Sequence, residues 1–326
     1  MNFLLSITEE FFSVKNDITL KGTLAIPQID QEQFPAIIMI NGSGSADRDG
    51  NMKKPKLITN LYKELAHFIT NLGFITLRYD KRSVGESEGN PFTSGMEDLV
   101  TDVKSMVTFL RQHPKVKGKE IILLGHSEGC ILATRVSEEI EDIAGLILLG
   151  GAGTNLAEPM DYQNQLLLEE IQRMKGLKGK LLRKLVTKEK INKQTQQLHK
   201  KLEQSSGDFI RMSMKKIPAK WFREHFAYKS EDVLHALERA NCPILAITGD
   251  KDVQMDIAEL SHLQQLDKND VTVVSIKDMD HMLKEYSGEK TILNIIKQYK
   301  KEATDPIHFQ LKEELVTWLH ANYLQK

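Results

Sequence analysis

The chain has 326 residues, 40% hydrophobic and 27% charged, with 44 Lys and Arg against 45 Asp and Glu for a formal net charge of -1. That composition excludes a disordered or fibrous chain, and the even balance gives no general attraction for nucleic acid. No run approaches the roughly 20 apolar residues of a membrane span, Cys130 and Cys242 do not make a disulfide framework, and residues 1–7 lead into Glu9 and Glu10 without a basic start, so no signal peptide is read and a cytoplasmic protein is expected.

In chain order, residues 11–15 and 18–26 read as two strands joined at Asn16-Asp17, because Ile18, Leu20, Gly22, Leu24 and Ile26 alternate with polar or small neighbours. Residues 36–40, an apolar run too short for a helix, suit a strand buried on both faces. The loop Asn41-Gly42-Ser43-Gly44-Ser45 follows. Leu57, Leu61, Leu65 and Ile69 keep helical spacing up to Gly73, residues 74–79 form the next strand, and a helix runs through Leu99, Val103, Met106, Val107 and Leu110. Ile121-Ile122-Leu123-Leu124 then meets Gly125-His126-Ser127-Glu128-Gly129, and a helical run begins at Cys130. Residues 146–149 make a further buried strand. From about 155 to 239 no strand is read, only polar sequence with helical spacing. Strands resume at 244–247 and 271–276, with a helix near 257–266 between them. A last helix carries Leu311, Leu315, Leu319 and Tyr323 on one face, with Asp305 as the expected cap and Pro306 in the first turn. Alternating strands and helices predict an α/β fold, a mostly parallel sheet with helices on both faces, led by an antiparallel hairpin. Residues 1–153 and 240–326 form the expected core, and 154–239 an inserted helical lid.

The chemistry is expected at the carboxyl ends of the strands. Gly-x-Ser-x-Gly between a strand and a helix is a nucleophile elbow, with Ser127 held out on a cramped turn. A serine hydroxyl needs a base, and the base needs a partner that fixes its tautomer. Of the histidines, His281 alone lies in the loop that directly follows the final strand; His126 belongs to the elbow, and the others, His308 and His320 included, fall in helices or the insertion. Asp250, Asp252 and Asp256 lie at the strand end before it; Asp252 is preferred because Asp250 is expected to stay with its turn. The Glu128 N–H, at the start of the elbow helix, supplies one oxyanion donor, and Ser43 in the glycine-rich loop the second. Gly42, Gly44 and His126 are expected to border the substrate. No metal or cofactor motif is read: no Gly-Lys-Ser/Thr follows the glycine loop, and the third glycine of a dinucleotide fingerprint is missing.

Taken together, Asn41-Gly42-Ser43-Gly44 with Asp47-Arg48-Asp49-Gly50, the stretch from Arg78 to Ser87, the elbow, Gly249-Asp250-Lys251-Asp252 and Asp280-His281 resemble the α/β-hydrolase superfamily. The resemblance is to its lidded bacterial esterase and serine aminopeptidase-like branch. It implies a Ser127-Asp252-His281 triad and an oxyanion contribution from Ser43. Asn41 stands where histidine is common, and Asp280 where Asn or Gly often precedes the histidine. Asp47, Arg48, Asp80 and Arg82 are read as an ion-pair lattice bracing two loops, in preference to a contact with a substrate anion.

The insertion is expected to wall the acyl pocket. Between 171 and 201 it is strongly basic, which is read as a solvated face over Leu177, Leu181, Leu182 and Leu185. The sharper reading is attraction for an anionic substrate or peripheral contact with a membrane. The function expected is hydrolysis of carboxylic esters of small or medium acyl groups, with a small-molecule acyl substrate as the partner. Thioesterase or aminopeptidase activity and a non-catalytic ligand sensor are the alternatives.

Overall fold

The structure is a computed structural model that describes residues 6–324; residues 1–5, on which most of the signal-peptide reading rests, lie outside it. Eight strands form one sheet: β1 (Ile7–Lys15), β2 (Thr19–Pro27), β3 (Phe34–Ile40), β4 (Ile75–Tyr79), β5 (Val116–His126), β6 (Gly145–Leu149), β9 (Ile244–Gly249) and β10 (Val271–Ile276). Their spatial order is β1-β2-β4-β3-β5-β6-β9-β10. β1 and β2 form the antiparallel hairpin, β2 joins β4 antiparallel, and every other pairing is parallel. This is the α/β architecture expected.

The central strands are apolar throughout because both faces are covered. Ile38, Ile40 and Leu123 turn to the layer of α2 (Met96–Gln112), α3 (Glu128–Glu139) and α8 (Ser230–Arg239). Ile37, Met39, Ile122 and Leu124 turn to α1 (Leu61–Thr70) and α11 (Phe309–Leu319). Strand period two thus splits one apolar run between two cores.

Between the adjacent strands β6 and β9 the chain leaves the sheet as α4 (Ala157–Arg173), α5 (Gly176–Leu185), α6 (Lys188–Glu203), a hairpin of β7 (Phe209–Met212) and β8 (Lys215–Pro218), α7 (Ala219–Ala227) and α8. The hairpin corrects the expectation of a strand-free insertion. Its strands have only four residues each, too few for alternation to stand out, and Ser213 and Met214 both take positive φ at the turn.

Two further corrections concern the carboxyl-terminal region. α11 begins at Phe309, capped by the His308 side chain accepting from Gln310 N–H, not at Asp305-Pro306. The preceding residues are held extended: Ile307 bridges to Lys284, and the His308 N–H donates to the Leu283 carbonyl. α10 (Ile295–Lys301) was not anticipated, although Ile292, Ile295, Ile296 and Tyr299 carry helical spacing.

Candidate active site

The turn from β5 into α3 sets Ser127 at φ 55° and ψ -122°, a strained backbone that projects its side chain from the strand end. Close packing explains the flanking glycines. A Cβ on Gly129 would lie 2.0 Å from the Ile40 carbonyl oxygen, and one on Gly125 2.3 Å from that of Gly129.

The β9 and β10 ends meet beside this serine. His281 Nδ1 lies 2.7 Å from Asp252 Oδ2, both groups buried. The other carboxylate oxygen of Asp252 accepts the N–H groups of Gln254 (2.7 Å) and Met255 (2.9 Å), which fixes the carboxylate plane. Asp250 stays in its turn and accepts the Asp278 N–H at 2.6 Å, while Asp256 caps the short helix at 257–259. Of the three aspartates, Asp252 is the one placed against the histidine.

Burial disfavours the imidazolium of His281, but Asp252 at contact, with a smaller contribution from Asp280, holds its pKa above the ordinary value. Burial pushes the Asp280 carboxyl up to about 6. That carboxylate turns to Lys284 N–H and Gln298 Nε2, so it closes the loop around His281 and ties it to α10.

His126 does not offer a ring nitrogen to a substrate. Its Nε2 lies 2.9 Å from the His281 carbonyl, which can only accept, so Nε2 carries the proton and Nδ1 accepts from the Tyr62 hydroxyl at 2.8 Å. Tyr62 in turn accepts the Gly42 N–H at 3.2 Å. Burial, with His281 alongside, pushes His126 down to about 3, consistent with a neutral ring. This chain joins the glycine loop, α1, the elbow and the histidine loop, and no spacing in the sequence signals it.

The Gly42 N–H is occupied by Tyr62, Ser43 is the next residue of the loop, and the Glu128 N–H lies in the first turn of α3, where helical bonding supplies no partner. The Glu128 side chain has separate work. It is buried against Lys81 Nζ (2.9 Å), Trp221 Nε1 (2.6 Å) and His225 Nε2 (3.2 Å). Burial opposes its ionisation, yet Lys81 and His225 prevail and hold the carboxyl far below its usual range. Lys81 also donates to the Gly42 carbonyl. One carboxylate therefore joins α7 of the insertion to the elbow and the glycine loop.

Ser127, His281, His126, Gly42 and Ser43 border a cavity of about 310 Å³ whose apolar wall includes Met52, Leu61, Met282, Ile292, Ile295 and Ile296. The insertion contributes only Gln163 to it, so the wall expected of the insertion comes mostly from 282–299. Gly44 instead borders a second cavity of about 450 Å³, where Val84, Leu99 and Trp221 lie with Glu128; Ser43 belongs to both. α4 sits on the acid loop, Tyr162 donating to the Asp252 carbonyl and Gln163 to that of Gln254. Its Glu170 is spent on Thr291 and the N–H groups of Ile292 and Leu293, and Glu169 pairs with Arg173.

The four charged loop residues do brace the loops. Arg48 pairs with Asp80 at 2.9 Å and also with Glu86; Arg82 grips Asp102 and Asp17; Asp47 caps its turn through the Asp49 and Asn51 N–H groups.

Esterase EstD of Thermotoga maritima is 25% identical over 297 residues, which are 90% of this chain and 65% of that protein, so the chain spans less than two thirds of this relative's length. Among solved structures, the α/β hydrolase GrgF from Penicillium sp. sh18 superposes with a TM-score of 0.59 at 15% identity, over 98% of this chain and all of that one. Est1E from Butyrivibrio proteoclasticus gives 0.56 at 16% identity, over 95% of this chain and 98% of that one. These likenesses agree with the fold. The family model described as serine aminopeptidase, S33, matches residues 58–285, a span that holds Ser127, Asp252 and His281, and the chain belongs to that family of hydrolases.

Proposed function

We propose that the protein is a serine carboxylesterase for small or medium acyl groups, with Ser127 as nucleophile, His281 as base and Asp252 as the group that orients it. The observation that carries this reading is that His281, paired at 2.7 Å with the buried Asp252, borders the same cavity as Ser127. In the reaction, His281 Nε2 takes the Ser127 proton as Oγ attacks the ester carbonyl, and the Glu128 and Ser43 N–H groups hold the oxyanion. Collapse breaks the bond to the alkoxy oxygen, which leaves with the proton from His281. A water then gives a proton to His281 as it attacks the acyl-enzyme, and collapse breaks the acyl bond to Ser127 Oγ, which takes that proton back from His281 as the acid leaves.

The cavity's size supports the acyl range, being at the low end of the roughly 300–1,000 Å³ of small-molecule sites, and its apolar wall suits a hydrocarbon. The second cavity, reached past Ser43, suits the alcohol portion. Ester is favoured over an aminopeptidase substrate because, among the described residues, no carboxylate lines the serine cavity to meet a substrate ammonium, and Glu169 and Glu170 border a different cavity, already paired. Residues 154–239 act as a lid latched through Glu128. Buried, unpaired Cys130 and Cys242 suit a reducing compartment.

A panel of p-nitrophenyl esters of rising chain length, an acyl-CoA and amino-acid p-nitroanilides tests this. Esters of short to medium chain are expected to give the highest kcat/KM; faster turnover of the anilides would overturn the reading.

A further inference from the structure

The lid contains a surface that hydrolysis does not explain. α5 turns back from the end of α4, and its inward side is committed there. Gly179 is buried so close that a Cβ would lie 2.4 Å from the Met174 carbonyl oxygen, and Arg183 donates to the carbonyls of Ile171 and Met174. On the outward side Leu177, Leu181 and Leu185 are 86%, 57% and 56% exposed. This overturns the expectation that they pack inward. At 100° per residue these three span about 80° of the helix, with Lys184 and Lys180 on one flank and Lys178 on the other.

Charge identifies the occupant. Between Glu170 and Glu189 there are seven Lys and Arg and no Asp or Glu, in a chain whose overall charge is -1. A leucine ridge flanked by lysines on both sides matches a bilayer surface: the leucines enter the acyl boundary while the ammonium groups reach the anionic headgroups. Among the described residues no helix is long and apolar enough to cross a membrane, so contact would be peripheral.

We propose that α5 seats the protein on an anionic lipid bilayer. The proposal does not depend on the ester reading, because its test measures binding.

Full-length protein is floated with vesicles of phosphatidylcholine alone or with about one third phosphatidylglycerol, at low and high salt. Expected is at least about tenfold more binding to the anionic vesicles, loss of that excess in high salt, and loss of binding in Leu181→Glu/Leu185→Glu. Lys178→Gln/Lys184→Gln should weaken binding and flatten its salt response. Soluble-ester turnover of these variants is expected to stay unchanged. Leu181→Trp reports insertion without a charge in the ridge, by a blue shift of its emission on anionic vesicles only. Equal binding to both vesicle types, no blue shift, or a dimer in sedimentation velocity that the leucine substitutions abolish would overturn the proposal, the last by assigning the ridge to a second copy of this chain.

Discussion

Asp252→Asn should damage catalysis out of proportion to the one atom it changes. The two carboxylate oxygens are not equivalent: one accepts the N–H groups of Gln254 and Met255, the other faces His281 Nδ1 at 2.7 Å. In the amide, the two backbone donors demand the carbonyl oxygen, so the NH₂ group is left facing His281. Nδ1 must then accept, the ring proton moves to Nε2, and the nitrogen that should take the serine proton has no lone pair. A wrong tautomer of this kind costs roughly 10³–10⁴ in kcat, or about 4–5.5 kcal/mol of barrier. Asp250→Asn is the control: it disturbs one turn and should change kcat by less than about fivefold, within the ~1 kcal/mol of a single hydrogen bond. Steady-state kinetics on p-nitrophenyl butyrate, with circular dichroism to check folding, measures both. A loss below tenfold for Asp252→Asn, or a greater loss for Asp250→Asn, would mean that Asp252 does not orient His281.

Other substitutions probe separate parts of the site. His281 acts as a base only when deprotonated, and its pKa is raised, so kcat/KM should climb with pH through a midpoint above the ordinary histidine value of about 6.5. Asp280→Asn removes a charge that contributes to this and should move the midpoint down, less than Asp252→Asn does; a pH series of kcat/KM reads it, and an upward shift would contradict the assignment. Glu128→Gln leaves Lys81 buried without its counterion, which costs about 3–5 kcal/mol, or about 4–7 °C in Tm for a chain of this size. Limited proteolysis should cut faster near α7, whose Trp221 and His225 lose their anchor. Ile295→Trp fills the serine cavity and should move the ester preference toward shorter acyl chains, which the chain-length series checks.

The sheet was legible because its central strands are short unbroken apolar runs between turn residues. The candidate positions Ser127, Asp252 and His281 stood out because each follows a strand end, and Asp252 ranked above Asp250 only through its extra reach beyond the turn. What the sequence withheld depends on contacts between segments far apart. Glu128 reads as a helix-start residue, and nothing local reveals that its carboxylate meets Lys81, 47 positions earlier, and Trp221, 93 positions later. The Tyr62–His126–His281 chain is equally non-local. The wall formed by 282–299 is a different case: its spacing was present but lay inside a polar stretch, where a helix of seven residues gives a weak period. Leu177, Leu181 and Leu185 were misjudged because periodicity finds an apolar face without saying what covers it.

The proposed chemistry rests on Ser127 as nucleophile and His281 as its base. A fluorophosphonate measures it directly, because the reagent forms a covalent bond only with an activated hydroxyl. Intact mass spectrometry should show one adduct per chain, peptide mapping should place it on Ser127, Ser127→Ala should abolish it, and His281→Ala should slow it by orders of magnitude. An adduct that persists in Ser127→Ala, maps to another residue, or forms at an undiminished rate without His281 would assign the nucleophile or its base elsewhere.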